Sequence, residues 1–334
     1  MTNLLDTSGI FDHPVTRIGA SAAAVALALA PLLTVILTRA HLMGEKTSKD
    51  VWTRYFTWLV LAPAMLGAVL ACPASAIAGI GLVSILCYAE YARATGLFRE
   101  RVMSAVVALA ILATGYANLD NWHGLYAALP ALVLTILAAV AVLRDQPHGY
   151  LQRVSLAAVA FLLFGTGLNH LGLMANAPDY RPLLVTLIAC SQVSDIAAYC
   201  AGKAIGRRHL FPNTSPNKTL GGHTGALLVV APLAAIAAHY IFKGTPVDNP
   251  AVLAGFGLII AVGAQLGDLV VGSIKRDLGI KDMGNVLPGH GGFLDRFNSL
   301  LLIAPAAYHY LNYFGAFPNP GGRRWLLGAL GVGE

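Results

Sequence analysis

Residues 268–298, DLVVGSIKRDLGIKDMGNVLPGHGGFLDRFN, gather Asp268, Lys275, Arg276, Asp277, Lys281, Asp282, His290, Asp295 and Arg296 around Gly289, Gly291 and Gly292. Carboxylate oxygens suit a hard cation such as Mg²⁺, the basic groups neutralise phosphate oxygens, and glycines let backbone N–H groups approach a ligand closely. Metal-assisted phosphoryl or nucleotidyl transfer requires this combination. An isolated histidine is more often structural. His290, set between Gly289 and Gly291, has an equal claim to act as a general acid or as a donor to phosphate.

Two further features lie upstream. The loop 203–222, KAIGRRHLFPNTSPNKTLGG, sets Lys203, Arg207, Arg208 and Lys218 beside hydroxyls and glycines. That composition suits phosphate or an anionic headgroup, and equally an ordinary basic loop at a membrane surface. Asp195 and Asp268 each precede a lysine, Lys203 and Lys275, by about two helical turns, which puts both acids ~10 Å inside the same membrane face. A carboxylate there costs about 2.5–3.5 kcal/mol, so each needs a cation, a hydrogen-bond partner or a wet cavity. The alternative is a structural carboxylate capped by Ser191, Ser194 or a neighbouring helix.

The elements that hold these residues are apolar helices. The 334 residues are 57% hydrophobic and 11% charged, with a mean hydropathy of +0.67, against roughly 25% charged in soluble domains. Apolar runs near the roughly 20 residues that cross a bilayer recur at 18–38, 55–71, 75–91, 102–118, 124–143, 154–175, 182–202, 223–242, 251–274 and 299–316. The expected fold is all-α, a polytopic membrane protein with about nine to ten transmembrane helices. It divides into an N-terminal helical region, 1–181, a chemistry-bearing region, 182–316, and a short tail, 317–334.

The loops 39–54, 92–101, 144–153, 203–222 and 275–298 hold all of the 22 Lys and Arg except Arg17, Arg181, Lys243, Arg323 and Arg324. By the positive-inside rule these loops, Arg144 among them, are cytoplasmic. Basic residues confined to such loops argue against nucleic acid as a partner. Cys72, Cys87, Cys190 and Cys200 form no CxxC pair and lie in or beside apolar runs, which excludes a zinc framework and makes disulfides unexpected. The N-terminus carries Asp6 and Asp12 where a signal peptide is basic, so the first apolar run is expected to remain as a helix.

These residues resemble the integral-membrane phosphatidate cytidylyltransferases, or CDP-diglyceride synthetases. That family's signature runs Ser-x-x-Lys-Arg, four residues, Lys-Asp, then Pro-x-His-Gly-Gly and Asp-Arg-x-Asp. Lys275-Arg276, Lys281-Asp282, Pro288, His290-Gly291-Gly292 and Asp295-Arg296 fall at its spacings, and Gly267-Asp268-Leu269 matches its Gly-Asp-Leu. Asp195, Ala198-Tyr199, Gly202 and Ser215-Pro216-Asn217-Lys218-Thr219 match a second block. The resemblance covers about residues 182–316.

It implies transfer of a cytidylyl group from CTP to phosphatidate, giving CDP-diacylglycerol and pyrophosphate. Asp268 and Asp295 are then the expected Mg²⁺ ligands, with a second cation left open. Lys275, Arg276, Lys281, Asp282, His290 and Arg296 form the implied catalytic set. Asp195, Ser215, Lys218, Gly291, Gly292 and Asn298 bind substrate. The implied partners are CTP, phosphatidate and the lipid bilayer, with a homodimer left open, and the implied location is a bacterial inner membrane with the site facing the cytoplasm.

Four positions depart from the pattern. Gly272 stands for the opening Ser, Asn298 for the closing Asp, Val271 for a usual Glu, and Leu220-Gly221-Gly222 for Trp-Glu-Gly. Asn298 still offers a carbonyl oxygen without the charge. The departures leave three alternatives open: a paralogue acting on another lipid phosphate or by a CTP-dependent kinase reaction, an ion-coupled transporter using Asp195 and Asp268, and a catalytically silent scaffold.

Overall fold

The computed structural model describes residues 4–143, 145–317, 322–324 and 326. Arg144 and most of the expected tail, 317–334, lie outside the described residues. Among the described residues the fold is all-α apart from one small hairpin. Its helices are α1 (Pro14–Arg39), α2 (Glu45–Ala71), α3 (Pro73–Thr95), α4 (Arg101–Leu119), α5 (His123–Val142), α6 (Tyr150–Ala160), α7 (His170–Met174) and α8 (Tyr180–Ile205). The hairpin strands β1 (His209–Phe211) and β2 (Ser215–Thr219) follow, then α9 (Leu220–Ile241), α10 (Pro250–Asp277), α11 (Leu294–Phe297) and α12 (Leu300–Tyr313).

Among the described residues, nine helical segments are long and apolar enough to cross a bilayer, α6 and α7 forming one of them. They correspond to the first nine expected spans. The tenth, 299–316, is the 14-residue α12, about 21 Å long and so shorter than the hydrocarbon core unless α11 extends it. The helices start where local chemistry allows. The His13 side chain accepts from Val15 N ahead of Pro14, and Asn249 does the same for Ala251 N ahead of Pro250. Cys72 alone joins α2 to α3, making a helical hairpin closed at one end.

The expected span 154–175 is interrupted. Phe161–Gly167 is π-helical, and its last residue, Gly167, lies close to α12. A Cβ on Gly167 would lie 3.2 Å from the Leu301 carbonyl oxygen. The loop 203–222 is also more ordered than expected. β1 and β2 pair antiparallel, with Phe211 opposite Ser215 and His209 opposite Thr219, and this projects Lys218 from a strand.

Helices α8, α9 and α10 form the centre that carries the polar residues. Small residues let them approach: a Cβ on Gly257 would run into the Ala231 carbonyl, and one on Gly267 would lie 2.8 Å from Ser299 Cα. Ser299 secures that second crossing by donating from Oγ to the Ala264 carbonyl at 2.9 Å. Gly267→Val is therefore expected to destabilise the protein by about 1–3 kcal/mol through overpacking, read as a lowered Tm in detergent. An unchanged Tm would show that the crossing relaxes freely.

Candidate active site

The segment between α10 and α11 is held by two buried carboxylates. Asp295 Oδ1 accepts from Lys275 Nζ at 2.8 Å, and its Oδ2 accepts from Met283 N at 2.9 Å and Gly292 N at 3.0 Å. Its side chain is 3% exposed, so the charge is buried but met by three donors. Glu90, reaching over from α3 and also buried, accepts from Phe293 N on Oε1 and from Leu294 N on Oε2, both at 2.9 Å. Side chains at Gly284 or Gly292 would overlap the Glu90 carboxylate.

Between these anchors the chain makes a tight turn. Leu287 N donates to Gly291 O and His290 N to Leu287 O, each at 2.9 Å. Gly289 and Gly291 take φ of 73° and 79°, the left-handed region that glycine enters without penalty. A Cβ on Gly291 would also lie 2.8 Å from Asp295 Oδ2. The glycines of the expected phosphate cradle thus fit the Asp295 carboxylate beneath them. Thr57 on α2 donates to the Pro288 carbonyl at 2.8 Å, tying the turn to the N-terminal half.

A second cluster is open. Asp268 on α10 pairs with Lys218 on β2 and accepts from Asn298 Nδ2 at 2.6 Å. Asp195 on α8 is exposed and makes no hydrogen bond or ion pair among the described residues, yet lies within electrostatic reach of Asp268, Lys218 and Arg296. The Arg296 Nε is buried with no partner, and no salt bridge neutralises its guanidinium among the described residues.

The structure therefore brings Asp195, Lys218, Asp268, Arg296 and Asn298 together, with Lys275, Asp295, Gly291 and Gly292 as a paired layer beside them. Arg276 lies on the outer side, where Nε donates to the Thr214 carbonyl and Nη1 to the Ile280 carbonyl, both at 3.2 Å. Ser215 is half-buried on the hairpin, and Lys281 and Asp282 are exposed. Asp282 flanks Gly291, 3.3 Å from where its Cβ would be.

His290 packs edge-on to Trp58 at 5.9 Å, with Nδ1 buried and unpartnered. Burial first, then the charges of Arg296 and Arg54, hold its pKa below the ordinary 6.5. The ring is neutral near pH 7.

Of the two carboxylates expected to hold a metal, Asp268 keeps an open flank toward the unpaired Asp195. Asp295 is enclosed by its three donors. No cluster of three or more His, Cys, Asp or Glu forms among the described residues. Asp195 and Asp268 could hold a divalent cation as oxygen ligands beside Lys218 and Arg296.

Glu90 and Arg54 were not among the residues singled out from sequence. Glu90 carried the same signal as Asp195, an acid within an expected span; Arg54 was one basic loop residue among many. The structure sets Arg54 against Gly289, 3.1 Å from where its Cβ would be.

A polytopic helical bundle with a cation-rich, carboxylate-lined site at one end is a membrane-embedded enzyme architecture. Residues 52–314 match the model of the cytidylyltransferase family, and the chain belongs to that family. It is 34% identical over 192 residues to a phosphatidate cytidylyltransferase of Bacillus subtilis (strain 168), covering 57% of this chain and 67% of that protein. It is 42% identical over 115 residues to a phosphatidate cytidylyltransferase of Staphylococcus aureus (strain COL), covering 34% of this chain and 42% of that one. It is also 33% identical over 238 residues to the Escherichia coli (strain K12) protein called uncharacterized protein YnbB, covering 70% and 77%.

Glu90→Ala strands two buried N–H groups, each worth about 1–3 kcal/mol. Faster trypsin cleavage at Lys281 under native conditions is expected, with Glu90→Gln intermediate because it keeps one acceptor. Cleavage at the wild-type rate in both variants would contradict the clamp. For His290, whose folded pKa is depressed, the stabilising contribution is fully present above the unfolded value of about 6.5 and is lost as pH falls through the lower folded pKa. Unfolding of the ligand-free protein is expected to show an acid limb that His290→Gln flattens.

Proposed function

We propose that this protein transfers the cytidylyl group of CTP to phosphatidate, giving CDP-diacylglycerol and pyrophosphate. The observation that carries the reading is the unpaired Arg296 beside the Lys218–Asp268 pair and the free Asp195, at one end of a lipid-spanning bundle. Family membership and the two named relatives support the same reaction class.

A phosphatidate oxygen attacks the α-phosphorus of CTP, and the bond from that phosphorus to the bridging oxygen of the β-phosphate breaks, releasing pyrophosphate. The attacking phosphate is already anionic near neutral pH, so the residues have to align and neutralise more than deprotonate. Arg296 and Lys218 hold phosphate oxygens, Lys218 exchanging its Asp268 partner for them. Asp195 and Asp268 would hold Mg²⁺, which supplies charge compensation for the triphosphate and leaving group. Asn298 keeps Asp268 oriented, and neutral His290 offers a hydrogen bond at the turn. The basic loops support a cytoplasmic position for this end of the bundle in a bacterial cell membrane, on the side where CTP is supplied.

Three of the four departures from the family pattern fit their surroundings, and nothing in the structure explains Gly272. Val271 is fully buried in the core, and Asn298 donates the bond to Asp268 that an ionised Asp could not. A Cβ on Gly221 would lie 2.9 Å from the Ile205 carbonyl oxygen.

With labelled CTP, phosphatidate and Mg²⁺, membranes containing the protein should form a lipid-linked CMP product. EDTA should abolish it, and Asp268→Ala or Asp195→Ala should lower kcat by about 10²–10³, as for loss of a preorganised transition-state contact. Folded protein that makes no such product from phosphatidate would overturn the assignment.

A further inference from the structure

A cavity of ≈ 740 Å³ opens between α2 and α3 and ends at the signature turn. Its rim, Phe56, Val60 and Leu82, is exposed where the bilayer would lie, and its floor, Leu168, Leu171 and Leu300, is buried. Leu287 and Pro288 close one end. The only polar side chains along it, Thr53 and Thr57, lie at that same end, and Thr57 bonds the Pro288 carbonyl.

We infer that this groove seats an acyl chain of the lipid phosphate whose headgroup enters the charged site. The inference rests on the cytidylyl-transfer reading and adds to it the place of the lipid tail. Three observations favour the substrate's own chain over a random lipid contact. The turn that closes the groove also carries His290, with Arg54 against Gly289 on one side and the Arg296 charge felt on the other. Polarity rises only toward that turn.

From Thr53 to Val69 the α2 wall runs about 24 Å, longer than one leaflet of a core ~30 Å thick, so a chain of one leaflet fits lengthwise. The hairpin link at Cys72 and the approach of Gly79 to Ala68, 3.0 Å between Cβ positions, close the α2–α3 pair at the far end.

Lipid tails are as apolar as the groove lining, so the groove contributes little affinity over bulk bilayer. Its effect is register: a seated chain fixes how deep the phosphate sits relative to Arg296. Blocking it should therefore discriminate between long- and short-chain substrates. Ala64, midway along the wall, is the place to block it.

The test measures kcat/KM of the full-length protein in mixed micelles for dipalmitoyl and dihexanoyl phosphatidate, in wild type and Ala64→Phe. The ratio of long- to short-chain kcat/KM is expected to fall at least tenfold. Equal loss on both substrates, or no change in the ratio, would overturn the inference. Photocrosslinking of wild type with phosphatidate bearing a terminal acyl diazirine gives a readout independent of turnover and of the variant's folding, with label expected on α2 and α3 peptides. Label confined to other helices overturns the groove assignment even where cytidylyl transfer occurs. Label on α2 and α3 without turnover of either substrate upholds the acyl site and sinks the reaction.

Discussion

A carboxylate buried at a membrane edge has to be met by positive charge or by N–H donors, and the site is organised around two that are. An uncompensated buried charge costs several kcal/mol. Asp295 therefore draws Lys275, Met283 N and Gly292 N onto itself, and Glu90 draws Phe293 N and Leu294 N. Five donors from three parts of the chain are thereby fixed within one small volume. The turn at Pro288–Gly291 has no regular secondary structure to hold it. Its shape follows from these bonds and from the glycines that leave room for the carboxylates.

Against that satisfied layer, the unsatisfied groups stand out. Asp195 has no partner and Arg296 has a buried donor without an acceptor, while Lys218 and Asp268 are paired by the strand-bearing hairpin. The rigid layer satisfies its own hydrogen bonds, so the groups left to meet phosphate and cation are those beside it. This division also accounts for the differing exposures of residues that one motif sets close together. Asp295 and Arg296 are adjacent in sequence, yet one is a folded anchor and the other an open contact.

Much of this was legible in the sequence. Apolar length gave the helices, and the spacing of Asp268, Lys275, His290 and Asp295 located the chemistry. The division of labour was not legible, since two aspartates in one motif look alike until the backbone shows which meets three donors. The π-helical stretch 161–167 was invisible because an apolar segment buried on several sides carries no periodicity to disturb. The hairpin 209–219 hid in a loop whose Pro, Asn and Ser content reads as turn. Glu90 was readable in principle. An acid in an expected span asks the same question as Asp195, and its answer, two backbone N–H groups some 200 residues away, needs the tertiary fold.

The most direct test of this arrangement is amide hydrogen–deuterium exchange over residues 283–294 in wild type and Asp295→Asn. The substitution removes the charge opposite Lys275 and one of two acceptor oxygens while keeping the side chain's size. If the carboxylate holds the turn, exchange across 283–294 should rise by at least tenfold while α4 and α5 keep wild-type protection. Unchanged protection of that segment in the variant would contradict the claim and leave the turn's shape to Glu90 and the glycines.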